Sequence, residues 1–322
     1  MFNLLIAAGI CLIFSSLLKA ESNPNPPVIV KNAYELRADL EGSKTKNEFF
    51  EKVESQATEK ETAGDFSQEA DSYIRYLPSR SVKAQSGRIS IVESGWEYSW
   101  AFKIEDRLPV EISLDTQYVD IAKTTELTLP SALTGLSMGV ETTLPFFQCD
   151  KTYLRLKVMP SFYSDDWNVR SSGFRMPVHS FLIYQPDKRV TFICGVAVYP
   201  DFEGTVWPII GFIYKPNDRW TVNIIPDGPN ISYLFNDRVT LFTEGGISDS
   251  EFEVNKDAFK NAVLSYKEAH IGCGVKFKLN EYLSSSFSSG YMFKRQLKYR
   301  DSLGKINIKD AYYCELRGEI KL

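Results

Sequence analysis

The sequence predicts an all-β fold: an antiparallel up-and-down transmembrane β-barrel of about twelve strands, within bounds of about 10 to 14, preceded by a signal peptide and a short acidic spacer. Three observations predict it. The N-terminus carries one short apolar run, apolar residues recur at every second position from about residue 88, and a turn sequence is written twice, as IYQPDKRVTF at 183–192 and IYKPNDRWTV at 213–222.

The first element is MFNLLIAAGICLIFSSLLKAES, apolar from Leu4 to Leu18, with Lys19, Ala20 and Ser22 supplying a polar boundary and small cleavage-site residues. This is the pattern of a secretory leader, assigned to residues 1–20. The run is shorter than the roughly 20 apolar residues a membrane helix needs, and no later segment approaches that length. An exported chain of this kind can enter a membrane only as strands. Ile10 stands before Cys11 where lipoprotein attachment needs a small residue. Cys149, Cys194, Cys273 and Cys314 are too widely spaced for a metal site, so no metal or cofactor is expected. A formal net charge of −4 offers no basic stripe for nucleic acid, and that partner is set aside. Aromatic residues make up 13% of the chain, which suits strands and membrane interfaces.

Residues 21–87 read as a periplasmic spacer. NPNPPV at 23–28 is a Pro-stiffened linker, and residues 33–71 hold eleven Asp and Glu against five Lys and Arg. Phe50, Val53 and Ala57 share a helical face that Gly64 could end, the alternative being a disordered acidic segment.

From residue 88 to 322 the period is two. Trp96, Tyr98, Trp100, Phe102 and Ile104 form one apolar face; Thr134, Leu136, Met138, Val140, Thr142 and Leu144 form another. Ile271, Cys273, Val275, Phe277 and Leu279 repeat the pattern, as do Tyr312, Cys314, Leu316, Ile320 and Leu322 at the end. The runs are about 9 to 13 residues long, beyond the usual 5 or 6 of soluble strands and matched to the 9 to 11 of membrane-spanning ones.

Pro186 and Pro216 suit the second position of a tight turn, with Asp187 or Asn217 next. YLFNDRVTLF at 233–242 and FKLNEYLSSSF at 277–287 are relatives without the proline. One strand out and one back fit between successive turns, so all four turns share one end of the sheet. Short turns are periplasmic in such barrels, which puts EDRLP (105–109), FQCDK (147–151) and the C-terminus on that side too. The strand count should then be even, with residues 72–95 as the undecided stretch. Tyr184, Tyr214, Trp220, Tyr233 and Phe235 flank the turns as an interfacial aromatic girdle. Cys194, Cys273 and Cys314 take the lipid-facing parity as small apolar side chains. Residues 247–268 form the longest outer loop, and DSEFEVNKD at 249–257 within it reads as solvated.

The inward face carries Glu97, Glu111, Asp115, Glu141, Arg155, Lys157, Arg175, His179, His270, Lys276 and Lys278. These are either a charged channel lining or a structural interior in which opposite charges pair. A wet lumen would make Lys276→Ala cheap. Gly135, Gly139, Gly195, Gly211, Gly272 and Gly274 share the inward parity, leaving room for water or relieving crowding. Ser180 points away from His179, and Gly272 follows His270 where a serine would be needed, so no catalytic pair and no enzyme is expected.

The turn repeats, the hairpin GYMFKRQLKYRDS and the final alternating strand resemble a family of outer-membrane β-barrels defined only as a domain of unknown function, over roughly residues 90–322. The resemblance implies a barrel and an outer-membrane location but no activity. Leu322 stands where such chains usually end on an aromatic residue, yet it is apolar and in register. The expected function is a passive pore or transporter for small solutes, the alternative being a closed barrel with a structural, surface-binding or assembly role. Expected partners are outer-membrane lipid, small solutes, and the barrel-insertion machinery acting through the C-terminal strand.

Overall fold

The computed structural model describes residues 66–322 except 84–85, 105–107, 125–126, 147–148, 166–172, 201–204, 227, 256–261 and 301–303. The leader, the Pro-rich linker and the helix expected around Phe50, Val53 and Ala57 lie outside the described residues.

Strand segments run β1 (Phe66–Lys83), β2 (Arg88–Ile104), β3 (Leu108–Lys123), β4 (Ala132–Pro145), β5 (Thr152–Val158), β6 (Ser161–Ser164), β7 (Phe174–Arg175), β8 (Val178–Asp187) and β9 (Val190–Val198). They continue as β10 (Val206–Asn217), β11 (Trp220–Ile224), β12 (Asn230–Asn236), β13 (Val239–Val254), β14 (Ala262–Lys278), β15 (Leu283–Tyr299), β16 (Gly304–Ile308) and β17 (Ala311–Lys321). Each pairs antiparallel with its neighbours, and β1 closes the ring by pairing with both β2 and β17. Three strands of the wall are each split in two, β5/β6, β7/β8 and β16/β17, so the segments make fourteen staves. Pro160 and Pro177 sit in two of the gaps, at matching heights on adjacent staves. Lacking an N–H, each proline interrupts the ladder there.

Fourteen staves is even and lies at the upper expected bound: thirteen fall within residues 88–322, and the fourteenth lies where a spacer was expected. β1 begins at Phe66, so the barrel starts before residue 88. Its inward face is Glu69, Asp71, Tyr73, Arg75 and Leu77, and its outward face includes Ser72, Ile74 and Tyr76. Two polar-rich faces leave no alternation to detect, and two of its acids fell into the spacer's charge count.

The repeated turns are closed by a side chain. Asp187 Oδ1 accepts from Arg189 N at 2.7 Å and Val190 N at 3.1 Å, and Asn217 Oδ1 accepts from Arg219 N at 3.0 Å and Trp220 N at 3.1 Å. Asn236 and Asn280 do the same for Arg238 N at 2.9 Å and for Tyr282 N at 2.8 Å. Asp or Asn thus holds the first turn position, and the proline precedes it, where the ladder shifts register between Tyr184 and Asp187 and between Tyr214 and Asn217. The expected placement of Pro186 and Pro216 at the second position is corrected accordingly. An Asx turn needs only the short polar side chain, which explains why the copies without proline still turn. Each turn is also stitched to the next, since Arg189 O accepts from Lys215 N and Arg219 O from Leu234 N, both at 2.8 Å.

The wall is uneven. β1, β2 and β3 have 18, 17 and 16 residues and β13, β14 and β15 have 16, 17 and 17, whereas β11 and β12 have 5 and 7. On the tall side the strands rise past the length needed to cross a bilayer. Their ends away from the repeated turns enclose an apolar core that includes Leu77, Ile91, Leu129, Phe252, Leu264 and Tyr299, with Tyr163 packed against it. A strand bridge also crosses from one wall to the other: Ser164 pairs in parallel with Glu253, six staves away, and Asp165 N donates to Glu253 O at 2.9 Å. Asn255 N donates to Asp165 Oδ1 at 3.1 Å. The expected loop 247–268 is therefore mostly strand, and DSEFEV belongs to β13. Asp249 is exposed and pairs with Lys267 at 2.7 Å, whereas Glu251 is buried and pairs with Arg300 at 2.5 Å.

The inward glycines have no spare room, and of the two expected readings the close contacts support relief of crowding. A Cβ on Gly274 would lie 2.4 Å from Phe242 Cζ, one on Gly95 2.3 Å from Tyr73 Cε1, and one on Gly135 2.8 Å from Tyr163. Gly274, Gly95 and Gly135 each receive a ring from a nearby stave, an arrangement that fills the gap and pins the register. At Gly195 the clash is with backbone, Ser180 O at 2.1 Å. Gly195→Ala should destabilise the refolded barrel by about 1–3 kcal/mol through overpacking. Gly318→Ala, with only Ser72 Oγ at 3.6 Å, should be neutral. Equal urea midpoints for the two variants would contradict this packing.

Candidate functional site: the barrel interior

Because side chains alternate faces, pairing across β3, β2, β1 and β17 stacks the inward residues in rows. Beginning near the turns, one row is Asp115, Glu97, Asp71 and Glu319. The next is Gln117, Gly95, Tyr73 and Arg317, and above it lie Val119, Glu93, Arg75 and Glu315. Then the row Ile121, Ile91 and Leu77 begins the apolar core. The interior thus changes from ionised to apolar along its axis.

Arg75 is the hub of the upper ionised row. It lies 2.6 Å from Glu315, 3.3 Å from Glu93 and 3.6 Å from Glu268. Glu93 also accepts from Gln117 Nε2 at 2.8 Å and Tyr73 OH at 3.1 Å. On β13, Glu244 accepts from Tyr313 OH at 2.8 Å and Ser288 Oγ at 3.0 Å. Lys276 lies 2.6 Å from Glu319, and Arg155 lies 3.0 Å from Glu141. Among the described residues these contacts join staves no more than three apart, so the charges lie along the wall.

Of the residues expected to face inward, Glu111, Glu141, Arg155, Lys157, Arg175, His179, His270 and Lys276 are buried. Glu97 and Asp115 are part exposed, and Lys278 is exposed beside its turn. Lys276 is held by the Glu319 carboxylate in a buried site, so its truncation is expected to be costly there. His179 packs edge-on against Phe181 and Tyr199, with ring centroids 5.8 Å and 5.5 Å apart, and His270 packs edge-on against Tyr313 at 5.8 Å. Sequence reasoning missed Asp71, Arg75, Glu93 and Glu268. Parity along β2 and β14 could have found Glu93 and Glu268, since they share a face with Glu97 and His270; Asp71 and Arg75 fell with β1.

On the outer surface Tyr184, Tyr214, Trp220 and Phe235 are exposed beside the turns, and Tyr233 is half-buried against Trp220, ring centroids 4.8 Å apart. Cys149, Cys194, Cys273 and Cys314 are free and exposed. Ile210, Ile271, Phe287 and Leu316 belong to the same outward apolar surface.

A closed antiparallel wall with an apolar outer face and an ionised, polar inner face defines an outer-membrane-type β-barrel. Within that class the chain belongs to the family described as a domain of unknown function, DUF6268, whose model matches residues 80–313. No curated protein matches the chain. Among solved structures it is similar to an outer membrane channel from Pseudomonas putida F1, at 8% identity over 81% of this chain and 97% of that one, TM-score 0.46. It is also similar to a FadL homologue from Pseudomonas aeruginosa, at 9% identity over 79% and 90% of the two chains, TM-score 0.44. A third is the toluene transporter TodX of P. putida, at 9% identity over 80% and 90%, TM-score 0.39.

Proposed function

We propose that this protein is exported to the outer membrane and passes small solutes through a narrow passive path inside the barrel. The observation that carries this reading is the partial exposure of Glu97 and Asp115 deep in an interior whose neighbouring charges are buried. Solvent contact at that depth is what a conduit needs, and charged side chains lining one decide what enters. Residues 1–20 act as the leader, residues 21–65 precede the wall, and the Asx turns and C-terminus face the periplasm. Tyr184, Tyr214, Trp220, Tyr233 and Phe235 sit at headgroup level on that side. The β17 stave is what the insertion machinery engages. No catalytic role is assigned.

A second reading is favoured by the bridge between Ser164 and Glu253 and the apolar core beneath the outer mouth, which suit a closed barrel with a structural or assembly role. Protein extracted from the outer-membrane fraction and reconstituted in a planar bilayer separates the two. Discrete conductance steps are the expected result. Silence over a wide voltage range, from protein that still shows heat-modifiable gel mobility, would leave the closed barrel.

A further inference from the structure

We propose that the outward ends of β14, β15, β16 and β1 form a docking surface for anionic phosphate headgroups of the lipid leaflet that lies away from the repeated turns. The inference goes beyond the conduit reading and needs only the membrane barrel. From the turns to mid-height the outward residues of these staves are apolar or small, as with Phe277, Val275, Cys273 and Ile271 on β14 or Phe287 and Tyr291 on β15. Further up, the same faces change to lysine. Lys267 stands on β14, Lys294 and Lys298 on β15, Lys305 on β16 with Lys309 just after it, and Lys83 on β1. An exposed apolar belt that gives way to cations on four consecutive staves marks the level where acyl chains end and headgroups begin.

Register brings these cations together. Lys298 stands directly opposite Lys305, and Lys83 shares a row with Asn307, Gln296 and Lys267. Like charges directly opposed across a ladder repel, a cost that a shared anion offsets. A bulge adds a further cation. Lys294 and Arg295 together oppose Glu268, where the ladder shifts register, and Lys294 takes φ 53°, left-handed backbone that a residue other than glycine seldom adopts. Arg295 turns into the barrel and is buried, while Lys294 is exposed on the outward side, next to the end of the apolar run. Carboxylates account for part of the patch. Asp249 of β13 takes Lys267 at 2.7 Å, and Asp310 lies 3.9 Å from Lys83. Lys294, Lys305 and Lys309 are exposed, and none of the three has a carboxylate partner among the described residues. Their long stems can lie along the apolar wall while the ammonium groups reach phosphate oxygens. The occupant is a lipid and not a soluble anion because the patch is continuous with the apolar surface that Ile271, Tyr291 and Leu316 present to acyl chains.

The test is native mass spectrometry of the folded protein in detergent, offered phosphatidic acid and phosphatidylcholine in equal amounts. Retained phosphatidic acid should exceed phosphatidylcholine several-fold. Lys294→Gln, Lys305→Gln and Lys309→Gln combined should bring the ratio close to parity. Lys188→Gln, Arg189→Gln and Arg219→Gln combined remove the same charge from exposed positions at the repeated turns, and should leave most of the preference intact. Excess inorganic phosphate should not abolish the preference, which separates a lipid from a free anion. Heat-modifiable mobility reports folding of each variant. Lys305→Gln alone, at an exposed position, serves if the triple variant does not fold, and should still lower the ratio. No preference, a ratio that the lysine variants leave unmoved, an equal fall in the turn variant, or full displacement by phosphate would overturn the inference. Conductance is read separately, so a silent barrel that keeps the preference would remove the conduit and leave this surface standing.

Discussion

Arg75→Ala is expected to destabilise the folded barrel by about 3–5 kcal/mol, the range for removing one partner of a buried ion pair. The guanidinium is buried and serves Glu315, Glu93 and Glu268 at 2.6, 3.3 and 3.6 Å. Truncation takes this cation from Glu93 and Glu268, while Glu315 keeps Arg317 at 3.1 Å, in a layer bounded above by Ile91 and Leu77. Most of the effect therefore comes from the charges left behind. Adding Glu93→Gln to Arg75→Ala should accordingly recover part of the loss. The measurement is a reversible urea titration in lipid vesicles. A loss below about 1 kcal/mol, the scale of exposed pairs, would mean that water reaches this layer freely.

Ile271→Arg is expected to cost about 2–4 kcal/mol in the same titration, the range for a cation at the bilayer midplane on the lipid face of a barrel. Ile271 is 61% exposed and pairs with Gly245 and Tyr291 on the neighbouring staves. It stands well above the turn that follows Lys278, near the middle of the membrane-spanning part of β14. Its neighbour His270 lies on the opposite face and is buried. An unchanged midpoint for Ile271→Arg would mean that this outward surface meets water, and the assignment of faces would fall with it.

Parity made most of the wall legible. Alternation from Trp96 to Ile104 and from Ile271 to Leu279 identified staves and the correct outward side, because a two-residue period maps directly onto the two faces of a sheet. What parity cannot give is the neighbour. Tyr73 filling the space above Gly95, or Lys276 reaching Glu319, depends on stave register and on pairs far apart in the chain. Of the two readings that parity leaves for the inward glycines, only the register shows that relief of crowding is the one the packing supports. The DSEFEV stretch of β13 reads as a loop in the sequence because both its faces are occupied, one by the apolar core and the other by Lys267 and Arg300. In the turns the composition was right and the mechanism was not: the Asp or Asn side chain makes the turn, and the proline only precedes it.

The pairing of β1 with β17 bears on the time the chain needs to fold. Glu69 meets Lys321 and Ala70 meets Ile320, and Gln68 exchanges backbone hydrogen bonds of 3.0 and 2.8 Å with Leu322. These partners lie at opposite ends of the described sequence, so the ring-closing contact has nearly the largest separation the wall permits. Local hairpins can form early from their Asx turns, but until the last stave arrives two rows of backbone N–H and C=O groups have no partner, which hydrocarbon does not tolerate. Folding dominated by such non-local pairing is slow. The rate at which this barrel appears in a membrane should therefore be set by the meeting of its two ends, with the hairpins already waiting.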